Sequence, residues 1–164
     1  MSVQQSVELA PEFSARVLHD VSMAKHTSWH AGGSADLFFT PRDIMDLASF
    51  IRQLPANVPL LWIGLGSNLL VRDGGIRGAV VSTHGALAAL ERHSATRIRA
   101  EAGVPCARLA RQCVKWGLGP AEFFAGIPGT LGGALAMNAG AWGQETWGNV
   151  VEVEVLDRGD VHSE

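Results

Sequence analysis

The residues in this chain best suited to chemistry are glycines in two clusters. Eighteen residues, Gly126-Ile127-Pro128-Gly129-Thr130-Leu131-Gly132-Gly133-Ala134-Leu135-Ala136-Met137-Asn138-Ala139-Gly140-Ala141-Trp142-Gly143, hold six of the 19 glycines and no charged side chain. Each glycine loses more backbone freedom on folding than any other residue, so such density needs a compensating gain. That gain is close approach to bare main chain, either by a ligand or by a second backbone, and the residues alone leave both open. Pro128 sets one φ and Thr130 can cap the apolar run from Leu131 to Asn138. The segment therefore reads as a loop entering a helix N-terminus, whose N–H groups suit a phosphate.

The second cluster lies upstream, in Leu60-Leu61-Trp62-Ile63-Gly64-Leu65-Gly66-Ser67-Asn68-Leu69-Leu70-Val71. Apolar runs on both sides predict a tight loop joining two strands, with Asp73-Gly74 as the next turn. Glycines at 64 and 66 permit positive φ, and Ser67 and Asn68 add donors, which makes a nest for an anion. A turn without a ligand has the same pattern. The sixth position counted from Gly64 is Leu69, and no Gly-Lys-Ser/Thr occurs, so neither a Rossmann fingerprint nor a P-loop is present.

Other candidates carry less. His26 and His30 are four apart, but Ala31-Gly32-Gly33 does not sustain the helix that would pair them on a metal, so no metal site is expected. Cys106 and Cys113 are seven apart, which is two helical turns and too far to bridge; both read as reduced core thiols. The five tryptophans read as packing, and Glu122 and Asp73 as surface or turn carboxylates.

Three segments together resemble a known family: His26-Thr27-Ser28-Trp29-His30-Ala31-Gly32-Gly33-Ser34-Ala35-Asp36, Gly64 through Leu70, and Gly126 through Ala141. Their order and spacing are similar to those of the UDP-N-acetylenolpyruvoylglucosamine reductases, also called UDP-N-acetylmuramate dehydrogenases, from about Met23 onward. The resemblance implies an α+β fold of the vanillyl-alcohol-oxidase/PCMH type, made of two lobes that hold FAD. It assigns FAD contacts to Ile63, Gly64, Leu65, Gly66, Ser67, Asn68 and Leu69, and to Gly126, Ile127, Pro128, Gly129, Thr130, Gly132, Gly133, Ala134, Asn138, Gly140 and Ala141.

In such enzymes NADPH reduces the flavin by hydride transfer and departs, and a UDP-sugar enolpyruvyl ether then takes the hydride on the way to UDP-N-acetylmuramate for peptidoglycan. The family's arginine in a Tyr-Arg-x-Ser segment, its serine proton donor and its late glutamate have no counterpart among these residues. No catalytic residue is therefore expected here, and the substrate domain is expected to lie beyond Glu164. The family usually carries a longer basic side chain where His30 stands. A fragment that binds FAD or a nucleotide without chemistry, and another flavoprotein of the same fold class, remain alternatives.

Composition agrees with a globular protein able to bury a core: 164 residues, 47% hydrophobic. Net charge of -3 and scattered arginines offer no field for nucleic acid. No apolar run is long enough for a membrane span, and the first ten residues lack signal-peptide character, so the cytoplasm is the expected compartment.

The elements that must position the loops follow from pattern. Pro11–Asp20 is expected as a helix, Asp36–Thr40 as a strand, Asp43–Leu54 as a helix after Pro41, and Leu60–Ile63 and Gly78–Ser82 as strands. Leu87–His93 and Arg97–Ala102 are expected as strands, Val104–Trp116 as a helix and Val150–Leu156 as a last strand with one wet face. The implied organisation is an N-terminal segment 1–22 and lobes at 23–83 and 84–164.

Overall fold

A computed structural model describes residues 7, 9–157 and 160–163. The chain divides into two compact units, residues 1–82 with 152–164, and residues 83–151. The lobes drawn from sequence place 152–164 differently, with the second lobe. Most of the first ten residues, read above as lacking a leader, and Glu164 lie outside the described residues.

In the first unit a short helix α1 (Pro11–Ser14) precedes strands β1 (Leu18–Ser22) and β2 (Ser34–Phe39), helix α2 (Ile44–Gln53), and strands β3 (Leu60–Ile63) and β4 (Ile76–Ser82). The sheet runs β1-β2-β4-β3, with β1 antiparallel to β2 and the other three parallel. Ala35, Leu37, Phe38 and Phe39 of β2 and Ala79, Val80 and Val81 of β4 are all buried. Burial of both faces is what an inner parallel strand requires, and it explains their unbroken apolar runs.

Helix α2 begins where Asp43 accepts a hydrogen bond from Asp46 N at 2.8 Å, an N-cap bond. Leu47, Ala48, Phe50 and Ile51 form its buried face, and Phe50 stacks on Phe39 with ring centroids 4.0 Å apart. Phe13 of α1 completes the aromatic cluster at 5.8 Å from each.

Three expected elements differ. The helix predicted over Pro11–Asp20 lasts four residues, because Leu18–Ser22 pairs with β2 instead, with Asp20 at φ +52°. Cross-strand bonding there overrides a weak helical pattern. The apolar run Leu69–Val71 forms no strand; Arg72 O accepts the Gly33 N–H at 3.1 Å, and Val71 crowds Gly32, so this stretch packs on the Gly32-Gly33 loop. The final strand begins at Glu154 rather than Val150: a 3-10 turn takes Trp147–Asn149, and β9 (Glu154–Asp157) pairs antiparallel with β10 (Asp160–Ser163).

The second unit holds the hairpin β5 (Leu90–Arg92) and β6 (Ile98–Ala100), helix α3 (Cys106–Trp116), a 3-10 segment Ala121–Gly126, helix α4 (Leu131–Met137), and a small hairpin of β7 (Gly140–Ala141) with β8 (Gln144–Glu145). Both expected strands are present, though shorter. Val104, Leu109, Cys113, Phe123, Phe124 and Ile127 are among the residues of its core.

An ion pair fastens the segment after α1 to α2. Arg16 forks onto Asp46 with both nitrogens at 2.7 Å, the two side chains only 20% and 14% exposed, and its guanidinium lies 5.1 Å from the centre of the Phe39 ring. The hydrogen bond from Arg16 holds the Asp46 carboxyl below its ordinary pKa, against the opposing effect of burial. A carboxyl with a lower pKa in the folded than in the unfolded chain stabilises above its unfolded value, about 4, and that contribution fades as pH falls through the folded value. Asp46→Asn is expected to lower urea stability at neutral pH by about 1–3 kcal/mol. The deficit should vanish in acid; an equal deficit at both pH values contradicts the assignment.

Candidate functional site

The loop after β3 is shaped by the segment around His26. Gly66 has φ +65°, and a β-carbon on it would collide with the carbonyl oxygen of His26. Its own carbonyl accepts from Ser28 N at 3.1 Å. Gly66 is therefore demanded by the chain's own backbone, whatever else the loop binds. With the loop so held, the N–H groups of Leu65, Gly66, Ser67 and Asn68 donate to no acceptor among the described residues. Leu65 and Asn68 are exposed and Ser67 half-buried. Four successive free donors in a stretch without charge are suited to an anion.

The segment beneath is packed. The Thr27 hydroxyl, buried, donates to Ala31 O at 3.3 Å, and the His26 ring lies on Phe38 at 4.3 Å. Burial, aided by the charge of Lys25, pulls the His26 pKa below its ordinary value, so the ring packs as neutral imidazole. Among the described residues no group of three His, Cys, Asp or Glu side chains is arranged to hold a metal.

In the second unit Gly129 O accepts from Cys106 N at 2.9 Å, Leu131 N donates to Val104 O at 2.8 Å, and Gly132 N donates to Ala102 O at 2.8 Å. Residues 129–132 are thus pinned against 102–106, and a β-carbon on Gly132 would stand 2.9 Å from that of Ala102. This pinning uses two of the first-turn donors of α4. It leaves two groups over. Gly133 N has no acceptor among the described residues, and the Thr130 hydroxyl, in a residue 1% exposed, has no partner among them. Thr130 stands at the N-cap, but its side chain makes no capping bond, contrary to expectation.

A buried hydroxyl without a protein partner is costly, so this oxygen is available to an atom from outside the chain. Gly133 is exposed, and a β-carbon there would meet only Thr130 Oγ1, at 3.7 Å. Gly132 is required by its neighbour; Gly133 is not. A ligand oxygen bonded by Gly133 N and Thr130 Oγ1 fits what the chain leaves unsatisfied.

The remaining candidates do structural work in this unit. Asn138, at φ +45°, ends α4; its Nδ2 donates to Glu145 at 2.6 Å and its Oδ1 accepts from Trp147 N at 3.1 Å. Gly140 lies so close to Gln144 that a β-carbon would strike the Gln144 carbonyl, and Ala141 borders Gly126. Sequence reasoning named His26–Asp36 only as a motif and missed that His26–Ser28 supports the Gly66 loop, and it missed Ala102–Val104 as the support of residues 129–132. Gly103 was the available signal, since a β-carbon there would collide with the Thr83 carbonyl. Both thiols are free and buried as expected, with Cys106 pushed up to about 11 by burial.

Residues 35–162 match the family described as FAD binding domain; the chain belongs to that family, whose cofactor is FAD. It is 59% identical over 140 residues to the UDP-N-acetylenolpyruvoylglucosamine reductase of Alkalilimnicola ehrlichii, covering 85% of this chain and 47% of that protein. The same enzyme of Nitrosococcus oceani is 57% identical over 144 residues, covering 88% and 48%. The crystal structure of UDP-N-acetylenolpyruvylglucosamine reductase from Thermus caldophilus aligns with a TM-score of 0.71 at 27% identity, over 91% of this chain and 51% of that one. The resemblance and the FAD-binding α+β fold expected from the three motifs are borne out. The chain spans about half the length of the curated relatives it matches.

Two outcomes follow. Gly66→Ala is expected to lose at least about 2 kcal/mol of stability or fail to fold, whereas Gly133→Ala keeps the native circular-dichroism spectrum and melting temperature; unfolding of the Gly133 variant contradicts the contrast. Burial also predicts that Cys106 and Cys113 resist a disulfide exchange reagent near pH 8 in the native chain and both react in urea. Rapid labelling of either native thiol would count against the packing.

Proposed function

We propose that the chain is the FAD-holding part of an NADPH-dependent reductase that converts a UDP-N-acetylglucosamine enolpyruvyl ether to UDP-N-acetylmuramate. The observation that carries the reading is the pair of unsatisfied groups, Thr130 Oγ1 and Gly133 N, in a domain of the FAD-binding family. The names of the relatives support the reaction, and peptidoglycan synthesis in the cytoplasm, coupled to growth and division, is the setting it implies. No helix among the described residues is long and apolar enough to cross a membrane.

Bound FAD supplies a flavin that takes a hydride from a nicotinamide and passes it on. In this reading the Thr130 hydroxyl and the Gly133 N–H donate to oxygens of the diphosphate. The free N–H groups of Leu65, Gly66, Ser67 and Asn68 in the first unit suit a phosphate oxygen as well, Gly64 and Gly129 each adding bare backbone to its own loop. Ile63 and Leu69 belong to the core under the first loop and Ile127, Ala134 and Ala141 to the core under the second, with Leu65 and Pro128 completing the loops themselves. Asn138 and Gly140 act by holding the turn that follows α4.

Titrating FAD into the 164-residue chain, followed by flavin absorbance and fluorescence, tests the proposal. Wild type is expected to take up one equivalent. Thr130→Val removes the spare hydroxyl at constant shape, so it should leave the apo chain as stable as before, or more so, and weaken FAD about three- to tenfold. A folded wild-type chain indifferent to FAD overturns the reading, and unchanged affinity in Thr130→Val removes the hydroxyl from it.

A further inference from the structure

The turn of the β7–β8 hairpin holds a residue that local geometry disfavours. Trp142 and Gly143, its two central residues, have φ of +51° and +80°. Positive φ at both places is the requirement of a type I′ turn, where Asn-Gly and Asp-Gly are at home. A tryptophan there is held against the steric preference of its own β-carbon. Burial does not offset this, because Trp142 is 74% exposed.

The ring is nonetheless anchored. Its Cη2 and Cζ3 atoms lie 2.9 and 3.1 Å from where a β-carbon of Gly126 would stand, so the benzo edge of the indole rests on bare main chain at the start of the glycine stretch. No other aromatic ring is paired with it among the described residues. A strained backbone that presents a fixed, unpartnered, exposed indole is the kind of outlier found at ligand clamps.

We propose that Trp142 is a platform on which a flat heteroaromatic ring of the bound dinucleotide, the isoalloxazine or the adenine, stacks. This rests on the FAD-holding role assigned to the neighbouring glycine stretch. Stacking on an indole gives orientation as well as affinity, since ring faces meet in an offset arrangement. Gly126 then has a second duty: lacking a side chain, it lets the indole edge settle against the main chain instead of swinging free.

The test uses the whole chain, with Trp142→Asn and Trp142→Phe, and titrations of FAD, FMN and ADP. Trp142→Asn supplies a residue suited to the turn, so it is expected to raise the melting temperature by about 2–4 °C while weakening FAD about three- to tenfold. Trp142→Phe keeps a ring and should retain most of the FAD affinity without the gain in stability. Loss confined to FMN assigns the stacked ring as the isoalloxazine, and loss confined to ADP assigns it as the adenine. FAD binding unchanged in Trp142→Asn, a less stable Trp142→Asn, or an FMN and ADP response that is equal or absent overturns the platform. Failure of the wild-type chain to take up FAD strikes instead at the FAD-holding role, and the wild-type titration shows it before any variant is made.

Discussion

Close approach of main chain to main chain is the constraint on which the rest of this structure depends. At Gly66 the carbonyl of His26 occupies the place of a side chain, and at Gly132 the β-carbon of Ala102 does the same. Neither contact tolerates a larger residue. Each fixes a loop whose remaining N–H groups have no internal partner, so donors are preorganised before any ligand arrives. In a chain of net charge -3, long-range attraction would not draw in an anion, and short, directed bonds would have to hold it.

This alters how glycine density should be read. The two explanations of the 126–143 stretch, tight backbone packing and ligand approach, are not rivals here, because they divide among positions. Gly126, Gly132 and Gly140 are explained by their own neighbours, while a β-carbon on Gly133 would meet only Thr130 Oγ1 in ordinary contact and its N–H is unused. Sequence cannot make this division, since the segments that press on these glycines, Ala102 and the Ala141–Gln144 turn, are located only by the fold. A bulky substitution at Gly66 therefore reports first on the clash with His26.

Legibility followed the source of each element's stability. Strands β2 and β4 and helices α2 and α3 were readable because burial imposes their apolar patterns and Asp43 marks the start of α2, and the edge strand β3 because its four residues are all apolar. Strand β1 was not, because its face is largely exposed and its existence depends on pairing with β2. The late start of β9 was hidden similarly, since Val151 and Val153 alternate like a strand while the preceding turn through Trp147–Asn149 claims the backbone. For the candidate site, the motifs located the loops and the family, yet the spare hydroxyl of Thr130 was mistaken for a cap.

The central claim is that neutral dipoles, not cationic side chains, hold the diphosphate. The dependence of FAD affinity on ionic strength tests it most directly, by calorimetric titration of the chain at about 0.05 M and about 0.5 M sodium chloride, across which screening of charge pairs changes steeply. The account predicts dissociation constants that agree within about twofold, as directed N–H and hydroxyl bonds require. Weakening by about tenfold or more at the higher salt would show that cations carry the binding and would contradict it.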